Sequence, residues 1–306
     1  MGRIEDALRQ AGKQTPENPD ESHGAGLETF PAGPETIDSP AAPVVPSRIQ
    51  EAIAQGAGPR DLERLVLHRD TEPVVVEQFR RLAAVLHHAQ ADRGVKVVML
   101  ASAQAAEGKT LTSVNLALTL SESYRRRVLL IDADLRRPSV GRIFGVRSAT
   151  GLSDCLKSRE LQSLRITNVT DSLGLLLAGD ADRDPMAGLT SGRMQQIIEQ
   201  AAATFDWVIL DTPPVGLLTD AHLLAAMVDA AVLVIDAGTT QHAVVQRAIE
   251  SIGREKIVGV VLNRVADDAL ADATYYEYAN DASRKKRRRG YLSGREMITD
   301  TSGISR

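Results

Sequence analysis

The sequence predicts an α/β fold, a mostly parallel sheet with helices on both faces. Three observations predict it. Short, near-continuous apolar runs recur at residues 95–101, 128–131, 207–210, 231–235 and 257–262. Strands that read apolar throughout, rather than alternating, are buried on both faces. Segments with helical spacing separate these runs, and parallel strands need such crossovers. Several runs also end in aspartate or feed a glycine-bearing turn, which gathers polar side chains at one edge of the sheet.

Each element follows in order. Residues 1–12 carry Ile4, Ala7, Leu8 and Ala11 at helical spacing, a short amphipathic segment too brief to be stable alone. Residues 13–47 hold seven prolines, mixed with Gly, Glu, Asp and Ser. So little apolar surface cannot offset the entropy of ordering, so a disordered linker is expected. A domain is expected over 48–266. It opens with an apolar stripe at Leu62, Leu65 and Val66 and a helix at 76–89. The strand at 95–101 feeds a helix at 109–122, followed by strands at 128–131 and 174–177. Helices at 193–204, 221–228 and 241–252 then precede the strands at 207–210, 231–235 and 257–262. Residues 267–306 read as a flexible, basic, tyrosine-bearing tail.

Composition excludes several classes. A formal net charge of −4 gives no field that would favour nucleic acid. The one cysteine, Cys155, rules out a disulfide within the chain and fits a reducing cytoplasm. No apolar run approaches the roughly 20 residues of a membrane span, and the N-terminus lacks a signal peptide's apolar core. A cytoplasmic location is expected.

The chemistry concentrates at three strand ends. The string Ala103-Gln104-Ala105-Ala106-Glu107-Gly108-Lys109-Thr110 follows a strand and opens a helix, the context that a P-loop requires. Backbone N–H groups of such a loop can encircle a phosphate, aided by the helix dipole. Gly108 allows close approach, Lys109 neutralises β/γ oxygens, and Thr110 offers a hydroxyl to magnesium. Ala103 stands where the plain pattern has its first glycine. The loop, Lys109 included, is expected to face solvent. A second strand ends in Asp132 and Asp134, two carboxylates at i and i+2, and a third ends in Asp211. One such aspartate is often a helix cap; three of them beside Gly-Lys-Thr point to a nucleotide site with Mg²⁺.

Together these segments resemble the bacterial tyrosine kinases of capsule and exopolysaccharide biosynthesis, with their Walker A, Walker A′ and Walker B motifs. Ile131-Asp132-Ala133-Asp134-Leu135-Arg136-Arg137-Pro138 is the most specific string, and Asp211-Thr212-Pro213-Pro214 the next. The resemblance implies ATP and Mg²⁺ as cofactors, bound by Ala105, Ala106, Glu107, Gly108, Lys109, Thr110 and Leu111. It implies that Asn263 reads the adenine. Thr110, Asp132 and Asp211 would serve the metal, while Lys109, Asp132 and Asp134 would serve catalysis, with Asp132 the general base. Division-site and partition ATPases carry an additional lysine where this chain has Gln104, which favours the kinase branch. The family often has glycine at the Ala106 position, so this loop is expected to be stiffer. Its self-association motif is matched by Glu77 and Arg80 but not by Ala83.

The resemblance further implies a membrane chain-length-determining partner and a position at the inner face of the plasma membrane. Homo-oligomers would form through the tail or the Glu77/Arg80 region. Tyr275, Tyr276, Tyr278 and Tyr291 are the phosphoacceptor candidates, and the basic run 284–289 could touch anionic lipid. Two readings share every motif. One is a protein tyrosine autokinase; the other is a nucleotide-gated switch acting on a polysaccharide-assembly membrane protein without phosphorylating it.

Overall fold

The computed structural model describes residues 64–68, 71–158, 164–216 and 219–265. The segment expected at 1–12, the linker at 13–47, Leu62 and the tail at 267–306 lie outside the described residues.

A first helix, α1 (Pro73–Arg93), opens on proline and stops at Gly94, whose left-handed φ of 68° ends it. Strand β1 (Val97–Ser102) leads through the glycine-bearing loop into α2 (Lys109–Leu118), which runs on as a π-helical turn (Thr119–Ser123). Next come β2 (Val128–Asp132), the short helices α3 (Val140–Ile143) and α4 (Leu152–Lys157), and the strands β3 (Thr167–Asn168) and β4 (Leu173–Leu176). Then α5 (Met186–Leu189) and α6 (Gly192–Thr204) precede β5 (Trp207–Asp211), α7 (Thr219–Met227) precedes β6 (Ala230–Asp236), and α8 (His242–Ile252) precedes β7 (Ile257–Asn263).

The seven strands form one sheet in the order β3-β4-β2-β5-β1-β6-β7. All pairs are parallel except β3 with β4, a two-residue antiparallel edge that the sequence did not suggest. Two cores result, one per face, because successive side chains of a strand point to opposite sides. Val97 and Met99 of β1, Leu129 and Ile131 of β2, and Val208 and Leu210 of β5 face α4 through α8. Val98 and Leu100, Val128 and Leu130, and Trp207 and Ile209 face α1, α2 and Phe144 beside α3. Every residue of β1, β2, β5 and β6 is buried, which is why these strands read as unbroken apolar runs.

Register then places the chemistry. Asp132 ends β2 directly opposite Asp211 at the end of β5, and Leu100 of β1 pairs with Asp211 from the other side. The loop after β1 and the two strand-end aspartates therefore share the carboxyl edge of three adjacent strands. That is where parallel sheets bind ligands.

Candidate active site

Asp211 is the hub. Its side chain is fully buried, and its oxygens accept hydrogen bonds from Lys109 Nζ (2.6 Å), Thr110 Oγ1 (2.8 Å) and Ser113 Oγ (3.0 Å). Lys109 and Thr110 open α2 and Ser113 stands one turn beyond Lys109, so neighbouring positions of one helix present all three donors. Lys109 is only 6% exposed. The expectation that it faces solvent is therefore corrected: the loop turns its lysine inward onto a buried carboxylate.

Asp132 is held from the other direction. Its Oδ2 accepts the backbone N–H groups of Ser139 and Val140, both at 3.0 Å, at the start of α3. Its Oδ1 is buried and has no partner among the described residues. Burial, with the neighbouring Asp211 carboxylate, pushes the Asp132 carboxyl up to about 7. Ser139 also bridges the two sides, its Oγ donating to Thr110 Oγ1 at 3.0 Å. Asp134 sits beyond Asp132, where burial raises it above the ordinary carboxylate range against the pull of Lys109. The Arg137 N–H donates to its Oδ1 at 3.1 Å.

The phosphate loop is shaped by contacts from two other strand ends. Glu107 is buried, and its carboxylate accepts from the Gln104 N–H (2.8 Å), the Asp236 N–H (3.4 Å) and the Thr240 hydroxyl. Asn263 Nδ2 donates to the Glu107 carbonyl at 2.8 Å, while Arg264 donates to the Ala106 carbonyl (2.8 Å) and to Asp236 Oδ2 (2.6 Å). Gly108 adopts φ 92°, and a Cβ there would collide with the Asn263 amide. Ala106 sits at φ 65°, a left-handed conformation that costs a residue with a Cβ about 1–2 kcal/mol. The clamp from the end of β7 holds it there.

The residues singled out from sequence thus divide. Lys109, Thr110, Asp132 and Asp211 come together, Asp134 lies beside them, and Asn263 meets the loop through Glu107 and Gly108. Ala105 and Ala106 are exposed on the loop, whereas the Leu111 side chain packs on the core. Tyr275, Tyr276, Tyr278 and Tyr291 lie outside the described residues. Sequence reasoning missed Ser113, Ser139, Asp236, Thr240 and Arg264. Of these, Ser113 carried a spacing signal, one helical turn after Lys109, and Asp236 a strand-end signal, directly after the run 231–235.

The donor set fits a magnesium ion. Mg²⁺ is usually held by one or two carboxylates together with waters and substrate phosphates. Thr110, Asp211 and Asp132 are hard oxygen donors, and the buried, unpartnered Oδ1 of Asp132 marks a place short of positive charge. Among the described residues, Lys109 is the one cation ion-paired with Asp132 or Asp211, so the site has negative charge to spare for a divalent ion.

A family model for ParA-type proteins, described as NUBPL iron-transfer P-loop NTPase, matches residues 94–272. The tyrosine-protein kinase YwqD of Bacillus subtilis is 33% identical over 229 residues, covering 74% of this chain and 96% of that protein. The tyrosine-protein kinase Wzc of Salmonella typhi is 29% identical over 69% of this chain, a match that spans 30% of that protein. Among solved structures, the kinase domain of the Escherichia coli tyrosine kinase ETK superposes with a TM-score of 0.58 at 30% identity, covering 62% of this chain and 75% of that one. The chimerical protein CapA2B2 gives 0.61 at 25% identity, covering 71% and 99%. With the Walker A, A′ and B residues assembled at one sheet edge, the chain belongs to the bacterial tyrosine kinase family of ParA-type P-loop NTPases.

Proposed function

We propose that this chain is a Mg-ATP-dependent protein tyrosine autokinase acting in capsular or exopolysaccharide synthesis. The observation that carries the reading is Asp132: one oxygen is fixed by two backbone amides and the other is left free. Burial holds that carboxyl above the ordinary carboxylate range, which favours its accepting a proton. In the transfer, the bond from Pγ to the β–γ bridging oxygen breaks and a bond from tyrosine Oη to Pγ forms. The phenolic proton passes to Asp132 Oδ1, and ADP leaves. Lys109 exchanges part of its pairing with Asp211 for the phosphate oxygens, and the backbone N–H groups of the loop cradle them. Asp211 and Thr110 would hold magnesium, leaving Asp132 Oδ1 for the proton; when bound, the ion would supply neutralisation of β/γ charge. Catalysis of this kind is mostly positioning and electrostatics.

The setting is part of the same proposal. The proposed partner is a membrane chain-length-determining protein at the inner membrane face; among the described residues no helix of this chain is long and apolar enough to cross a membrane. Self-association would use the tail or the Glu77/Arg80 region; on α1, Glu77 and Arg81 are exposed and Arg80 half-buried beside Val74, Val75 and Val85.

The test incubates the full chain with magnesium and γ-labelled ATP and asks for alkali-stable label on tyrosine. Asp132→Asn should lower transfer at least 100-fold while nucleotide affinity changes only a few-fold. Nucleotide binding with no phosphotyrosine in the unsubstituted chain would overturn the kinase reading in favour of the switch.

A further inference from the structure

Among the described residues, strand β7 closes one side of the sheet and is hydrogen-bonded to β6 alone. Register fixes where its side chains point. Val260 lies opposite Leu233 and Leu262 opposite Ile235, so both face the side of the sheet covered by α7 and α8. Val258 and Val261 point the other way and pack on the core under α1, where a Cβ at Gly259 would meet Leu82 at 3.8 Å. One face of β7 is thus covered and the other bare. Val260 is 50% and Leu262 61% exposed, more than any other large apolar side chain among the described residues. Over the inner strands, α7 and α8 bury Leu224, Val228, Ala248 and Ile252, but the described residues hold no helix after β7 to continue that layer. An unpaired apolar edge invites aggregation, and proteins blunt it by laying a helix or loop over it.

We propose that residues 267–280 of the same chain cover this face, docked as a helix with Leu270 and Tyr276 turned inward, and that docking withholds Tyr276 from phosphorylation. The docking stands without the kinase reading above; the withholding rests on it. The path of the chain names the occupant. Val265 follows directly on the end of β7, so the next residues begin at one end of the bare face. Asp267 and Asp268 suit the start of a helix and Asn280 its end. Between them Ala269, Leu270, Ala273 and Tyr276 recur at helical spacing, which sets Tyr275 and Tyr278 on the opposite side. A helix over 267–280 runs about 21 Å, against about 23 Å for the seven residues of β7, so a helix folding back spans the strand. Charge agrees. The segment carries Asp267, Asp268, Asp272 and Glu277 with no lysine or arginine, and folding back brings Glu277 toward the amino end of β7, where Arg254 is exposed. So short a connection gives the segment a high effective concentration at its own β7, which favours it over the same segment of a second copy.

The experiment uses the full chain, with the buried Cys155 left in place. Under mild oxidation, Val260→Cys with Ala273→Cys should close a disulfide within one chain. Val260→Cys with Ala271→Cys, which the spacing turns outward, should close far more slowly; peptide mapping identifies the bond in each. Equal rates for the two pairs, or a bond formed only between chains, would overturn the docking. Hydrogen exchange without nucleotide gives a second readout that needs no added cysteine. Amides of 267–280 should exchange about tenfold more slowly than in an unfolded peptide, and this protection should vanish in both Leu262→Asp and Leu270→Asp. Leu262 is mostly exposed, so its substitution spares the fold. Absence of protection in the unsubstituted chain, or protection kept by both variants, counts equally against docking. With magnesium and ATP added, the ratio of phosphate on Tyr276 to phosphate on Tyr278 should rise about fivefold in Leu262→Asp. An unchanged ratio overturns the withholding alone. No phosphotyrosine in any chain sinks the kinase reading and the withholding with it, while the disulfide and exchange results still decide the docking.

Discussion

Lys109 and Ala106 show how much of this site is decided by single residues. Lys109 Nζ is one of three donors on a fully buried carboxylate, so removing its charge leaves Asp211 short of its cation in low dielectric. Breaking a buried pair typically costs about 3–5 kcal/mol. Lys109→Met should therefore abolish phosphotransfer and also lower unfolding stability by about 3 kcal/mol, measured by urea denaturation without nucleotide. A stability unchanged within 1 kcal/mol would mean that the pair contributes little, and that the substitution reports on catalysis alone. Ala106 predicts the opposite sign. Its φ of 65° suits glycine, so Ala106→Gly should relieve strain and, after the extra unfolded-state entropy, stabilise the protein by about 0.5–1 kcal/mol. Thermal melts of the two chains decide this, and a lower melting temperature for the glycine variant would count against a strained loop. Both residues were visible as motif positions in the sequence. Their burial and strain were not, because those depend on which strand ends come to lie alongside.

At the scale of elements, the sheet was legible and its accessories were not. Runs buried on both faces announce themselves, so β1, β2, β5 and β6 fall within a residue or two of their expected positions. Strand β3 escaped because two polar residues, Thr167 and Asn168, pair at an edge without any apolar pattern. The expected helix at 109–122 breaks its α-helical pattern after Leu118, where a π turn takes over at Thr119–Ser123. The least legible feature is the clamp that β6 and β7 place on the phosphate loop. Asp236, Thr240, Asn263 and Arg264 are distant in sequence from residues 104–108 and meet them only because β1 and β7 both flank β6. The clamp makes a prediction at its own scale. Asn263→Ala removes the hydrogen bond to the Glu107 carbonyl and the side chain that confines Gly108, freeing the loop on one side. A lost hydrogen bond of about 1 kcal/mol, with the loop's added freedom, should weaken nucleotide affinity roughly 5- to 20-fold. Titration calorimetry with the nucleotide checks it. An unaltered affinity would mean that Arg264 and Glu107 suffice to hold the loop.

For the whole molecule, the sheet order bears on whether a chain can phosphorylate its own acceptor tyrosines. Asp132 ends β2, while residues 267–306 follow β7, four strand steps away across β6, β1 and β5. At a strand spacing of about 4.8 Å that is about 19 Å along the carboxyl edge. The ten residues from Val265 to Tyr275 could span up to about 35 Å if fully extended, so length alone does not forbid transfer within one chain. A segment that followed the carboxyl edge from the end of β7, beside Arg264 and Ala106, would cross the phosphate loop after β1, the place assigned to the nucleotide. A neighbouring chain reaching Asp132 from the α3 side would not cross that place. Transfer is therefore expected between chains. Mixing an Asp132→Asn chain, which keeps Lys109 and its buried pair, with a chain carrying phenylalanine for Tyr275, Tyr276, Tyr278 and Tyr291 tests this directly. Mass spectrometry should find phosphate on Tyr275, Tyr276 or Tyr278 of the Asp132→Asn chain, and the initial rate per chain for the unsubstituted protein should rise in proportion to its concentration. A rate per chain that is independent of dilution, with the Asp132→Asn partner left unphosphorylated, would place transfer within a single chain and require the segment to find a path around the bound nucleotide.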